Sequence, residues 1–447
     1  MPFNSVHFIG IKGTGMSAVA QVLASQGVRV TGSDVTEEFP TDRGLATAGI
    51  AVQPGFSPAH VDEPDCAVVS AAFGSENPEV AECIRRRIPL LTYPEFLGML
   101  MEDRRVIAVA GTHGKTTTTA MVGAVLRQAG VDPTVVIGSG DAWAGRSDLL
   151  VAECCEYRRH FLHYRPEIAL ITSIELDHPD YYASVDDVFA AFQEFVDLIP
   201  GHGLLIVHGD DPHAAKLVSK AKRVTYGFGG GNDYHCRSQR IHDGRSDFTV
   251  TAGGRRVGEF TLPVSGRHNV LNATAAIAAA CELGLDPRHA AQALAEFCNV
   301  SRRFEYVGEY RGALVYDDYA HHPTAIAVTL QGAREFFPDR RLWVVFQPHT
   351  YTRTQRLLTE FATALGQADH IILAEVFSSA REQDGTAKVS SLDLARRVPG
   401  WPERVEFIAE QADIVRRLRQ DLPSDALLLT MGAGDIYRVA GQLVHHT

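Results

Sequence analysis

The sequence predicts an α/β protein of three domains, each built on a mostly parallel sheet covered by helices. Three observations lead there. Short apolar runs recur along the chain and end in glycine or in polar clusters, as parallel strands do at the rim of an open sheet. At 447 residues there is room for about three domains of ordinary size. The pattern also breaks twice, at the charged link Met101-Glu-Asp-Arg-Arg105 and near Ser301, giving expected domains 1–104, 105–300 and 301–447.

In the first domain Ser5–Ile9 reads as a strand, and Gly10-Ile-Lys-Gly13-Thr-Gly15 turns into a helix running to about Gln26. A second strand over Val28–Thr31 ends at Gly32-Ser33-Asp34, with the acidic residue 19 positions past Gly15. That is a Rossmann-like unit, in which such a residue holds a ribose hydroxyl. The glycine order G-x-x-G-x-G differs from the dinucleotide order G-x-G-x-x-G. Cys66–Ser70 reads as a strand, and Asn77–Arg87 and Tyr93–Met101 as helices.

The second domain opens with R-V-I-A-V-A-G-T-H-G-K-T-T-T-T at Arg105–Thr119. Val106 to Ala110 suit a buried strand; Gly111, Thr112, His113 and Gly114 form the turn, and Lys115 starts a helix. Backbone N–H groups and the positive helix end can hold a phosphate there. Lys115 adds a charge for the terminal phosphate, and the Thr116 or Thr117 hydroxyl suits Mg²⁺. Val109 stands where the general P-loop consensus has glycine, so the loop is a shortened variant. Leu149–Ala152 delivers Glu153 at a strand end, and Ile168–Ser173 delivers Glu175, Asp177 and His178. Glu153 and His178 are expected to approach the phosphates with a metal between them. Leu204–Val207 and Arg223–Tyr226 read as strands, Asp233–Pro263 as an antiparallel insertion, and Asn269–Leu283 as an Ala-rich helix.

In the third, Rossmann-like domain two short strands flank Gly312, and the second ends in Asp317-Asp318-Tyr319-Ala320-His321-His322-Pro323 before a helix to about Phe336. Leu342–Phe346 ends in Gln347-Pro348-His349-Thr350-Tyr351-Thr352-Arg353-Thr354 and a further helix. Ile371–Ala374 and Ala426–Thr430 are expected strands.

A net charge of −12 argues against a general nucleic-acid binder. No apolar run reaches the roughly 18 residues of a membrane span, and M-P-F-N-S-V-H-F-I-G lacks the features of a leader. Seven cysteines without a C-x-x-C pair suit reduced thiols, so a cytoplasmic protein is expected, as a monomer or weak homodimer. Cys154 and Cys155 have no evident charged partner to activate them and are expected to pack.

The chain resembles the Mur ligase family, the ATP-dependent amide-forming enzymes of peptidoglycan assembly, through motifs spread along its whole length. They are A-G-T-H-G-K-T-T-T-T, I-E-L-D-H-P-D-Y-Y, G-R-H-N-V-L-N-A-T-A-A-I-A, R-R-F-E, D-D-Y-A-H-H-P-T and F-Q-P-H-T-Y-T-R-T. H-F-I-G-I-K-G-T-G-M-S and E-C-C-E-Y-R-R-H-F-L resemble the branch that adds L-alanine, in its Gram-positive form. The resemblance implies UDP-N-acetylmuramic acid and L-alanine as substrates, with ATP and Mg²⁺, and an acyl phosphate on the way to the amide. A sister ligase adding a preformed peptide or another amino acid to the same sugar is the alternative.

The resemblance also implies roles. Gly13, Gly15, Met16, Ser17 and Asp34 would lie along the UDP part. Lys115, Glu153 and His178 would be catalytic, with Thr116 and Glu153 on one Mg²⁺ and His178 near a second. Asn269, Asn272, Arg303 and Asp318 would reach the nucleotide; Tyr319, His321 and Arg353 would place the amino acid. Many members of the branch carry an acidic residue at the place of Cys155 and an arginine at that of Thr350. Glu153 is then the surer metal ligand than Glu156, and Arg353 is left to meet the alanine carboxylate. A nicotinamide dehydrogenase would leave the phosphate loop unexplained, and a nucleotide-gated binding protein would give Glu153 and His178 little reason to converge.

Overall fold

Ser5–Ile9 is buried at every residue and forms the middle of a five-stranded parallel sheet. Arg29–Asp34 and Val52–Pro54 lie on one side, Cys66–Val69 and Leu90–Thr92 on the other. The strand order therefore reverses beside Ser5–Ile9, which opens a crevice past its carboxyl end. Gly10 makes the turn at φ +84°, and a Cβ there would lie 2.7 Å from the Phe73 ring, so only glycine fits. Helix Thr14–Ser25 follows. The computed structural model describes residues 3–242, 245–264, 266–298, 300–377 and 389–445.

Among the described residues the central sheet has ten strands. Arg105–Ala110 lies between Leu149–Glu153 and Ile168–Ile171, all parallel. Leu204–His208 and Lys222–Gly227 extend it one way, Thr134–Val136 and the antiparallel Ala142–Trp143 the other. The expected antiparallel insertion is continuous with this sheet. Tyr234–His242 pairs parallel to Lys222–Gly227, and Arg245–Ala252 and Arg255–Leu262 follow antiparallel. Helix Arg267–Glu282, rich in alanine, packs closely beside helix Lys115–Gln128 because small side chains let the two axes approach.

Among the described residues the third sheet has six strands. Glu305–Tyr310 runs antiparallel to Ala313–Asp318; Ala426–Met431, Arg341–Phe346, His370–Leu373 and Val405–Phe407 continue it in parallel.

The way the three parts join is uneven. Phe8, Phe96 and Leu97 of the first share one apolar core with Phe161, Tyr164 and Phe192 of the second. The third has two apolar clusters of its own. It meets the others through polar contacts, among them Thr324 Oγ1 donating to Glu175 Oε2 at 2.7 Å and Arg438 Nη2 donating to the Glu38 carbonyl at 2.9 Å.

Candidate active site

The turn after Arg105–Ala110 is held by its neighbour in the sheet. Thr112 N donates to the Ser173 carbonyl at 2.8 Å, and His113 N to Ser173 Oγ at 3.1 Å. Gly114 precedes helix Lys115–Gln128 at φ +79°, and a Cβ on it would lie 2.6 Å from Asn272 Oδ1. The phosphate loop and the Ala-rich helix are thus pressed together at a glycine, and no side chain caps the helix start.

Lys115 Nζ donates to the carbonyls of Gly111 and Thr112 and to Glu156, with 2.9 Å to Glu156 Oε2. Glu156 is only 1% exposed. Burial works against the charge on Lys115, but Glu156, aided by Cys155 and Glu153, more than offsets it and raises its pKa. Glu156 is the partner that sequence reasoning left open. Its signal is a position three residues past Glu153, just beyond the strand end. Glu153 itself accepts from Thr116 Oγ1 at 3.1 Å and from Gly138 N at 2.7 Å. Arg303 Nη2 reaches across from the third sheet to the same Thr116 hydroxyl at 3.0 Å.

His178 lies beside this pair, its Nε2 4.0 Å from Glu156 Oε1 and 3.9 Å from Asp177 Oδ2. Burial lowers its pKa, with Asp177 and Glu156 opposing. Asp177 is turned to Arg353, whose Nε and Nη2 donate to one carboxylate oxygen at 3.0 and 2.7 Å. Burial disfavours the Asp177 charge, yet Arg353 and three nearby histidines hold the carboxyl well below its usual range. This alters the expectation for Arg353. Two of its three nitrogens serve Asp177, and only the Nη1 edge, near His349, faces elsewhere.

His321 Nδ1 meets the Tyr319 carbonyl at 2.9 Å. A carbonyl only accepts, so Nδ1 carries the proton and Nε2 the lone pair. Burial, then Arg353, push its pKa well down. Asp318 accepts from Phe304 N at 2.8 Å and Ala320 N at 2.7 Å, fixing the chain just after Arg303.

Most of the expected residues line one cavity of about 450 Å³. Thr112 to Thr117, Glu153 and His178 form one wall, Asn269 and Asn272 a second, and Arg303, Asp318, Tyr319 and His321 the third. Beyond the sequence expectation, His208, Asp211, Tyr226, His268 and Thr324 also line it. Among the described residues two groups bring three potential ligand atoms within 4.8 Å of one another: Glu156, Asp177 and His178, and His113, Glu175 and His322.

The first-domain residues lie elsewhere. Gly13 precedes helix Thr14–Ser25, and Gly15 packs under the Tyr93 ring. Met16 and Ser17 are buried side chains, so they offer the crevice only backbone. Asp34 accepts from Lys12 N at 2.7 Å and Val35 N at 2.8 Å; its carboxylate shapes the turn. Burial raises its pKa. Cys154 is fully buried, and burial pushes the Cys155 thiol up to about 12. Thr350 starts helix Tyr351–Arg356 at φ +68° and donates its N–H to the Phe377 carbonyl.

Three family descriptions match consecutive parts of the chain: Mur ligase family, catalytic domain, at residues 5–105; Mur ligase middle domain at 109–280; and Mur ligase, glutamate ligase domain, at 302–434. The chain is 47% identical to the UDP-N-acetylmuramate–L-alanine ligase of Desulfitobacterium hafniense (strain Y51), over 99% of its own length and 100% of that protein. It is 41% identical to the ligase of the same name from Rubrobacter xylanophilus, over 98% and 99% of the two chains. Among solved structures, UDP-N-acetylmuramate-alanine ligase from Thermotoga maritima superposes with a TM-score of 0.83 at 29% identity, covering 99% and 98% of the two chains. A murein peptide ligase from Psychrobacter arcticus gives 0.74 at 26%, covering 98% of each.

Proposed function

Since the chain belongs to the Mur ligase family, we propose that it joins the amino group of L-alanine to the carboxylate of UDP-N-acetylmuramic acid. It is an ATP-dependent amide-forming ligase. The observation that carries the substrate reading is a full-length likeness to relatives of that name, at 47% and 41% identity. The geometry is in keeping with it: a phosphate loop and a third-domain set face one cavity.

A carboxylate and an amine do not condense unaided, because the oxygen to be lost is a poor leaving group. Phosphoryl transfer from ATP turns that oxygen into phosphate. Attack by the amine then forms the C–N bond and breaks the C–O bond to phosphate. Lys115 can trade its loop carbonyls for a phosphate oxygen while Glu156 keeps the ammonium charged. Backbone N–H groups at the start of Lys115–Gln128 and the Arg303 guanidinium, which reaches Thr116 at 3.0 Å, would meet the same phosphates. Asn269, Asn272 and Asp318 line the same cavity and would meet the rest of the nucleotide. His321, on the cavity wall, would help place the alanine, and the Nη1 edge of Arg353, which donates to the His349 carbonyl at 3.4 Å, would have to turn from it to meet the alanine carboxylate.

Mg²⁺ fits the donors present. Thr116 Oγ1 and a Glu153 oxygen are hard ligands 3.1 Å apart on the cavity wall. His178, with Glu156 and Asp177, would hold a second ion. When bound, such ions neutralise phosphate charge and let two anionic substrates approach. The UDP part would lie in the crevice past Ser5–Ile9, on the backbone of Gly13 to Ser17, with Asp34 holding that turn.

ADP release tests the reading. Purified protein with UDP-N-acetylmuramic acid should form ADP when L-alanine is added and give no comparable rate with a preformed peptide. The reverse preference would assign it to the sister activity.

A further inference from the structure

A second polar cluster in the cavity is left unused by this mechanism. His113 comes from the phosphate loop, Glu175 from the turn after Ile168–Ile171, and His322 from the start of third-domain helix Pro323–Phe336. His113 Nε2 is 3.4 Å from Glu175 Oε2, and His322 Nδ1 is 4.0 Å from the same oxygen. The two imidazole rings lie with centroids 4.8 Å apart and planes tilted by 43°. Thr324 Oγ1 donates to that Glu175 oxygen at 2.7 Å.

We propose that His113, Glu175 and His322 form a binding site for a borderline transition cation, zinc by preference. Two imidazoles and one carboxylate are a known zinc donor set, and a fourth position would open onto the cavity. Ligand atoms on a tetrahedral zinc stand about 3.3 Å apart, given Zn–N and Zn–O lengths of about 2.0–2.2 Å. The His113–Glu175 separation already matches, and the three ligand atoms lie within 4.8 Å of one another, so His322 would have to move toward the other two.

The state of His322 is an independent pointer. The residue is 6% exposed, and its Nε2 is buried without a hydrogen-bond partner. Nδ1 receives only a long contact from Thr324 N, at 3.3 Å. With the proton on Nε2, the Nδ1 lone pair takes the weak cap from Thr324 N while lying 4.0 Å from Glu175 Oε2, and a cation between them would replace that cap. Magnesium is disfavoured here because it prefers an octahedron of oxygens. Zinc would tie the phosphate loop to the third-domain helix, a clamp between parts that otherwise meet through isolated polar contacts.

The test uses the full chain, stripped of metal and titrated with Zn²⁺ against a chromophoric chelator. Wild type should take up one zinc with an affinity at least tenfold above His322→Gln and Glu175→Gln, whereas His178→Gln should match wild type. Equal affinity in wild type, His322→Gln and Glu175→Gln would overturn the site. Loss in His178→Gln alone would do so too, placing zinc with Glu156 and Asp177. A readout that needs no variant is Co²⁺ substitution. A four-coordinate site gives an intense visible band, and only weak octahedral absorption would end the proposal.

Discussion

Arg353 and Asp177 form an ion pair at 2.7 Å that is nearly sealed from water, with side chains 5% and 8% exposed. One partner belongs to the third sheet's layer and the other to the loop beside the phosphate turn. Neither charge has water to fall back on once the other is removed, and breaking such a pair costs about 3–5 kcal/mol. Because it joins parts that have separate apolar cores, that cost should fall on closure more than on folding.

Arg353→Ala should therefore open the molecule. Small-angle scattering should give a larger radius of gyration than wild type, and turnover should fall by at least ~10², the effect of small misplacements at a reacting centre. An unchanged radius with lost turnover would confine Arg353 to the amino-acid site.

Lys115 and Glu156 should behave as one unit. Lys115→Met strands a carboxylate that is 1% exposed, so a loss of ~10² or more in turnover should come with lower stability. Adding Glu156→Gln should restore much of the stability and none of the activity. Urea unfolding of the two single variants and the double variant measures this coupling. Strictly additive losses would contradict it.

The adjacent arginines should separate cleanly. Arg303 touches Thr116, so Arg303→Ala should raise KM for ATP by about tenfold or more, the worth of one charged hydrogen bond. Arg302 donates to Asp317 and to the carbonyls of Gly432 and Gly434 inside the third domain. Arg302→Ala should lower the melting temperature instead. Initial rates over a range of ATP, set beside thermal melts, distinguish the two.

Acid should weaken the fold before it reaches the carboxylates. Burial pushes both His268 and His322 down to about 4, so each is neutral in the folded chain at pH 7. The unfolded chain takes up those protons below about pH 6.5, while the folded one resists to about 4. More protons on the unfolded state means stability falls with falling pH across that window, by up to about 1.4 kcal/mol per unit for each group. Glu175, held at about 2, adds a further loss below about pH 4.5. Melts between pH 7.5 and 5 should show the decline, and His268→Gln should make it shallower.

The sequence alone determined what short range can encode. An apolar run, two glycines and a lysine specify strand, turn and helix at Arg105–Gln128, since each is a choice made within a few residues. The same holds for Ser5–Ile9 and for Glu153 at its strand end, where the pattern and the fold agree. Edge strands such as Leu90–Thr92 and Val405–Phe407 are three residues long, too short to carry a period, and only pairing with a neighbour creates them. The partners of the site residues were decided by tertiary structure. Lys115 finds Glu156 at 41 positions, and Arg353 finds Asp177 at 176. Nothing local distinguishes an arginine that will meet a substrate from one that will meet an aspartate. Burying both charges in one closed interface makes that choice, through the cost of leaving either without its partner.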